Sequence, residues 1–272
     1  MYSAKFSYLT VFVAVAFGII LLSTSTDAKS ADRSVNEITH VCSNWAVPTG
    51  YVITNIESDS ANCTPGASEY TVRLPIDGLQ VCYNSPVPSP YVVTNIAITS
   101  VCAGLDIETL HVASNGMTIC RTSPVPDDFV VVAEVAANST CRTMNLYNIS
   151  AASPGTAMCS FSPGPSGYVV TEITSSNSCM GARAYVLASI HSGVEACSVS
   201  RSPEGYVVTA GVASNQCVDG SLVADYWTYE SVYDGIAVCP FSPIPSGYYI
   251  VGSVSGISCR GASGMGYVLR EG

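Results

Sequence analysis

Short runs of apolar and β-branched residues recur along the chain, separated by polar segments that contain proline and glycine. Residues 91–96 (Tyr-Val-Val-Thr-Asn-Ile) and 168–173 (Tyr-Val-Val-Thr-Glu-Ile) are typical. Tyr, Val, Ile and Thr suit the pleated, half-buried surface of a strand. No segment shows a 3.6-residue apolar period over the length of a helix. The pattern therefore predicts an all-β fold.

Each repeated unit contains three such runs. The first follows a Pro-x-Gly-aromatic turn, as at residues 165–168, because proline fixes φ and glycine relieves the steric demand of the turn. The second run is exemplified by residues 184–187, and the third by residues 116–120, which end at a cysteine. Residues 37–42 match the third run, and the last unit ends without one. We therefore expect the chain to be permuted, with residues 37–42 completing the last unit.

The twelve cysteines follow the same repeat, two in each of six units of about 39 residues. Units this small bury little surface alone, so they need neighbours, disulfides or both. All the cysteines fall on the repeat, which is typical of a disulfide framework formed in an oxidising compartment. The pairs are Cys42 and Cys63, Cys82 and Cys102, Cys120 and Cys141, Cys159 and Cys179, Cys197 and Cys217, and Cys239 and Cys259.

Two periodic disulfide connectivities are compatible with this spacing. In the first, the two cysteines of each unit join, which closes six loops of nearly constant length and is the connectivity that we favour. In the second, Cys63 joins Cys82 and so on along the chain, and Cys42 meets Cys259. A loop of about 20 residues contributes on the order of 3 kcal/mol in the chain-entropy model.

The expected permutation decides between a closed and an open arrangement of the modules. If residues 37–42 complete the last unit, six three-stranded modules close into a propeller-like ring without free strand edges. The alternative is an open string or superhelix of modules. We favour closure.

The first 28 residues resemble a secretion signal. One lysine precedes an apolar run at residues 8–22, and small residues at 26 and 28 suit cleavage before Lys29. Residues 29–36 form a polar lead-in, and residues 37–272 form the six-repeat domain, with repeats starting near residues 42, 82, 120, 159, 197 and 239. We expect a secreted or periplasmic protein without a membrane span after cleavage of the signal.

Composition excludes some functions. The chain carries 20 acidic and 10 basic residues, so it lacks the basic surface that binding to nucleic acid requires. His40, His111 and His191 are dispersed among the units without an acid or serine at a shared offset. We therefore predict no catalytic constellation, no cofactor and no metal site, and we expect the acid pair Asp127 and Asp128 to lie in a solvated turn.

The fifth unit departs most from the repeat, and its insertion is rich in aromatic and acidic residues. Aromatic faces beside carboxylates suit stacking on sugar rings or anchoring of a protein partner. The opposing interpretation is an elongated strand pair whose aromatic residues cover a neighbouring module. The candidate ligand-binding residues are Asp225, Tyr226, Trp227, Tyr229, Glu230 and Tyr233.

Three functions are compatible with the sequence. The preferred one is a secreted, non-enzymatic repeat protein that acts through surface contact, as in adhesion, envelope or matrix structure, or binding of a glycan or protein. The second is a secreted hydrolase or enzyme inhibitor that uses the unit-five insertion, which requires Asp225 and Glu230 to converge in one pocket. The third is a self-associating filament or coat subunit.

Overall fold

The computed structural model describes residues 39–219, 222–260 and 264–272. Within these ranges the chain forms six three-stranded antiparallel sheets, which confirms the predicted all-β repeat. The residues of the predicted signal and lead-in lie outside the described ranges. The strands of modules 1 to 3 are β1 Thr39–Cys42, β2 Val52–Glu57, β3 Glu69–Arg73, β4 Gln80–Cys82, β5 Tyr91–Cys102, β6 Leu105–Val112, β7 Thr118–Cys120, β8 Phe129–Val135 and β9 Leu146–Ala151. Those of modules 4 to 6 are β10 Ala157–Cys159, β11 Tyr168–Ser175, β12 Arg183–Ser189, β13 Val194–Cys197, β14 Tyr206–Asp219, β15 Leu222–Ser231, β16 Ala237–Val238, β17 Tyr248–Ser255 and β18 Met265–Glu271.

Every sheet has the same strand order, with the third strand of the module in the centre. In module 1, β1 pairs with β3 so that Thr39 lies opposite Val72 and Cys42 opposite Glu69. The expectation that residues 37–42 complete the last unit is therefore wrong. The short strand before each outer cysteine begins its own module, and β16 supplies this strand to module 6.

The expected ring closure is not observed, and the modules form an open row. The contacts that join modules link the second strand of one module to the first strand of the next, as between β2 and β4 or β14 and β16, and at some junctions also to its second strand, as between β11 and β14. Closure would have required β1 to leave module 1 and to pair in module 6. Because every module already has its own first strand, nothing is missing from the last one.

The first of the two disulfide connectivities is confirmed: each outer cysteine joins the inner cysteine of its own module. Each bridge ties an outer cysteine, at or directly after the end of the first strand, to an inner cysteine that lies near the end of the second strand or in the loop that follows it. The cysteines of modules 2 to 6 are buried, whereas Cys42 and Cys63 are half-buried. The first bridge is more accessible because no described module covers it.

The Pro-x-Gly-aromatic turns form as expected. The Tyr206 amide donates a hydrogen bond to the Pro203 carbonyl at 3.2 Å, and Gly205 has a φ of 77°. That positive φ is readily available to glycine and rare for other residues. The turn directs the chain from the outer cysteine into the long second strand.

A β-bulge in the second strand of each module provides a connection to the next module. In β5 the register shifts between Val93 and Asn95, and the Val93 amide donates a hydrogen bond to the Ser123 hydroxyl of module 3 at 2.8 Å. The same bond recurs at all five junctions, always to the serine three positions after the outer cysteine. Its donors and acceptors are Ile53 and Ser85, Val93 and Ser123, Val131 and Ser162, Val170 and Ser200, and Val208 and Ser242.

The hydrophobic core lies between modules as much as within them. One cluster brings together Val52 of module 1, Val93 and Leu110 of module 2, and Cys120 and Cys141 of module 3. Removing a neighbour would expose this apolar surface to water, at about 25 cal/mol per Å². The modules therefore depend on one another for stability.

Candidate functional site

The two acids predicted for the unit-five site do not converge. The Asp225 carboxylate accepts a hydrogen bond from the Arg260 guanidinium of module 6 at 2.5 Å, and the Glu230 carboxylate accepts one from the Ser192 hydroxyl. Five positions separate the two acids along β15, so they lie about 16 Å apart. A hydrolase that uses them as a catalytic pair has no support in this geometry.

Trp227 lies in the junction between modules 5 and 6. Its ring stacks on Phe241 of module 6, with 5.1 Å between the centroids and an interplanar angle of 26°. The residue opposite it on β14 is Gly211, where a Cβ would meet both Trp227 and Phe241 at 3.3 Å. The glycine thus leaves room for the stack. Trp227 therefore covers a neighbouring module, as the opposing interpretation of the unit-five aromatic residues expected.

The three tyrosines of the predicted site have different environments. Tyr229 is fully buried in the core shared with module 6. Burial raises the pKa of its hydroxyl, which makes no hydrogen bond of normal geometry although Ser202 lies close enough to lower that pKa in part. Tyr226 is half-buried, and burial together with the charge of Glu195 raises its pKa. Only the side chain of Tyr233, which is 60% exposed, is widely open to solvent among these three.

A cleft of about 500 Å³ opens elsewhere, at the junction between modules 4 and 5. Its walls are the two Pro-containing turns, from Ser160 to Tyr168 on one side and from Val199 to Tyr206 on the other. Its floor is apolar and includes Met158, Leu187 and Ile190. Volumes in this range are typical of small-ligand sites.

Tyrosine rings and polar side chains surround this cleft. Tyr168, Tyr185 and Tyr206 are half-buried, and the Tyr168 hydroxyl donates a hydrogen bond to the Ala152 carbonyl at 3.0 Å. This bond fixes the ring before any ligand arrives. The exposed side chains of Arg201 and Glu204 also line the cleft, and within the described ranges neither has an ion-pair partner.

At this junction a valine stands where two other junctions have a phenylalanine. At the junction between modules 3 and 4, Tyr147 stacks on Phe161 with 5.2 Å between the centroids, much as Trp227 stacks on Phe241. Phe161 and Phe241 each stand two positions after the outer cysteine, where module 5 has Val199. Tyr185 stands at the register of Tyr147 and Trp227, and it lines the cleft.

None of the six residues predicted for the unit-five site lines this cleft. The Tyr229 hydroxyl lies close to Ser202, and Ser202 is one of the residues that line the cleft. The sequence did contain a signal for the cleft, namely valine at a repeat position where two other units have phenylalanine. This difference between the units can be interpreted only when the structure shows which residues of consecutive modules face each other.

The histidines lie outside the cleft lining. His40 Nδ1 lies 2.9 Å from Glu69 Oε1, and His111 Nδ1 lies 3.2 Å from Asp77 Oδ1. Hydrogen bonds from Ser60 and Asn62, with His40 as a smaller influence, lower the pKa of Glu69. No cluster of three or more His, Cys, Asp or Glu side chains in the described ranges is arranged to hold a metal ion.

Comparison with known proteins gives no further assignment. No protein-family model, curated protein or solved structure matches this chain. The part of the chain that the structure describes contains no helix long and apolar enough to cross a membrane. The six disulfides indicate an oxidising environment, such as the extracellular space or the periplasm.

Proposed function

We propose that this protein is a secreted, non-enzymatic binding protein that takes an uncharged saccharide into the cleft between modules 4 and 5. The observation that carries the proposal is the combination of an apolar floor, a Tyr168 ring held by its hydrogen bond to Ala152, and serine hydroxyls in one cleft. The C–H faces of a sugar pack on aromatic rings, while its hydroxyls hydrogen-bond to polar side chains.

The charges favour a neutral saccharide over an acidic one. The chain has a formal net charge of −10, which disfavours the approach of a polyanion. Arg201 and Glu204 stand on the same loop of the cleft, so one donor and one acceptor are available to sugar hydroxyls. A protein partner would use the same rings, and it is distinguished from a saccharide by the experiment below.

Replacing Val199 with phenylalanine tests the site. This change gives the junction the residue that modules 4 and 6 carry at the same position, so it should fill the cleft without disturbing the fold. The control is Val135→Phe, which adds the same ring at an exposed position outside the cleft lining. Binding is measured on a glycan array and then by calorimetry with the best neutral oligosaccharide.

The proposal predicts that the chain and Val135→Phe bind the same oligosaccharide, and that Val199→Phe binds at least tenfold more weakly. Equal binding by Val199→Phe would remove the cleft as the site. If no saccharide bound while a captured protein were lost on the Val199→Phe change, the ligand class would be wrong.

A further inference from the structure

The face at the end of module 6 differs from the corresponding faces of modules 1 to 5. Ile250 is 43% exposed, whereas its counterparts Ile53 and Val208 are 2% and 0% exposed. In those modules the first strand of the next module covers this position. The exposed large apolar residues of β17 and β18 are Tyr249, Ile250, Val251, Met265 and Tyr267.

The bulge of this face also lacks its usual partner. β17 has the same register shift, between Ile250 and Gly252. The five corresponding amides each donate to a serine of the following module, whereas the Ile250 amide has no such serine partner among the described residues. An exposed apolar face beside an available amide indicates a binding surface.

The opposite end of the row presents the complementary edge. The half-buried bridge between Cys42 and Cys63 lies on this edge, where later modules bury the bridge against the preceding module. Trp45 occupies the position of the junction serines, and its amide donates to the Cys42 carbonyl at 2.9 Å, as the Ser85 amide does to Cys82. Its ring is 70% exposed, and tryptophan is a frequent interface anchor.

We propose that the chain associates head to tail, with the first-strand edge of module 1 of one copy covering the module 6 face of a second copy. The same kind of contact already occurs five times within the chain, between consecutive modules. Trp45 lies against Tyr249 and Ile250 in place of the serine that the inner junctions use. Because the two surfaces differ, the contact is heterologous and continues into rows of molecules. This inference does not rest on the saccharide cleft.

Two single substitutions test the two surfaces one at a time. Trp45→Ala removes the anchor from the head of the row, and Ile250→Lys places a charge on the tail face. Ile98→Lys is the matched control, since Ile98 is 78% exposed in the middle of the row. The association state of each purified chain is measured by analytical ultracentrifugation over a range of concentrations, and circular dichroism together with a thiol count checks the fold.

The chain and Ile98→Lys should form oligomers that grow with concentration, and each of the other two variants should remain monomeric. An equimolar mixture of Trp45→Ala and Ile250→Lys should give a 1:1 dimer and nothing larger, because one intact head meets one intact tail. A chain that stays monomeric at every concentration would overturn the proposal. Oligomers lost with Ile250→Lys but kept with Trp45→Ala would overturn it as well, since they would show two tail faces meeting each other. Should Ile250→Lys fail to fold, Ile250→Ser removes the same apolar side chain from this face with the same expected result.

Discussion

The Ser123 hydroxyl and the Val93 amide form a hydrogen bond of 2.8 Å across the junction of modules 2 and 3. Both residues are buried. β5 is an outer strand of its sheet, and the Val93 amide donates across the outer edge, directly before the register shift of the bulge. The outer edge of one sheet, beside its bulge, is thus the point to which the next module attaches.

Ser123→Ala should lower the free energy of unfolding by about 1–3 kcal/mol, because it leaves the buried Val93 amide without an acceptor. The measurement is urea unfolding followed by circular dichroism. Ser175→Ala, at an exposed position of β11, is the control and should change the value by less than about 0.5 kcal/mol. Equal effects of the two substitutions would show that the junction bond does not contribute to stability.

Glu108 makes stability depend on pH. It is buried at a position of the central strand where the other five modules have tyrosine or tryptophan, and burial raises its pKa from 4.5 to about 7. The folded chain therefore holds this proton more tightly than the unfolded chain, so Glu108 lowers stability progressively as pH rises from about 4.5 to 7.

Glu108→Gln should remove this loss of folding stability at higher pH. The variant should match the parent chain near pH 4 and exceed it by roughly 1–3 kcal/mol at pH 8. Urea unfolding at a series of pH values measures the difference, with the exposed Glu172→Gln as the control. A stability difference that is the same at pH 4 and pH 8 would contradict the assignment.

The repeat, the disulfide pairs and the turns could be predicted from sequence because each depends on local chemistry. A cysteine at a fixed spacing and a Pro-x-Gly-Tyr turn carry the same meaning in every unit. The module boundaries could not be predicted in this way. The strand before each outer cysteine follows one unit and precedes the next, so periodicity alone allows either grouping; the pairing of Thr39 with Val72 decides it.

The cleft and the open ends depend on exceptions to the repeat. Val199 and Tyr185 line the same cleft although they belong to consecutive modules. Trp45 in place of the junction serine was a sequence signal against ring closure, since a closed ring needs six such serines and the chain has five. The aromatic residues of unit five led to the prediction that Trp227 binds a ligand, but its ring packs against Phe241.

The stack of Trp227 on Phe241 should couple modules 5 and 6. A double-mutant cycle with Trp227→Ala, Phe241→Ala and the double variant should give a coupling free energy of about 0.5–1.5 kcal/mol. The two single substitutions report the whole loss of packing, and the cycle isolates the contact between the rings. Strict additivity in thermal or urea unfolding would mean that the two rings stabilise the junction independently.

The disulfides should be reduced in an order set by their burial. Attack by a thiolate requires access to a sulfur atom, and only the bridge between Cys42 and Cys63 is half-buried at both ends in the described structure, whereas the others lie within junctions. Brief treatment of the native chain with a mild reductant, followed by alkylation and peptide mass spectrometry, should label Cys42 and Cys63 first. In urea sufficient to unfold the chain, all six bridges should react at similar rates, because the protection comes from the packing of consecutive modules. Early labelling of Cys120 or Cys141 in the native chain would show that the junction between modules 2 and 3 opens more readily than the end of the row.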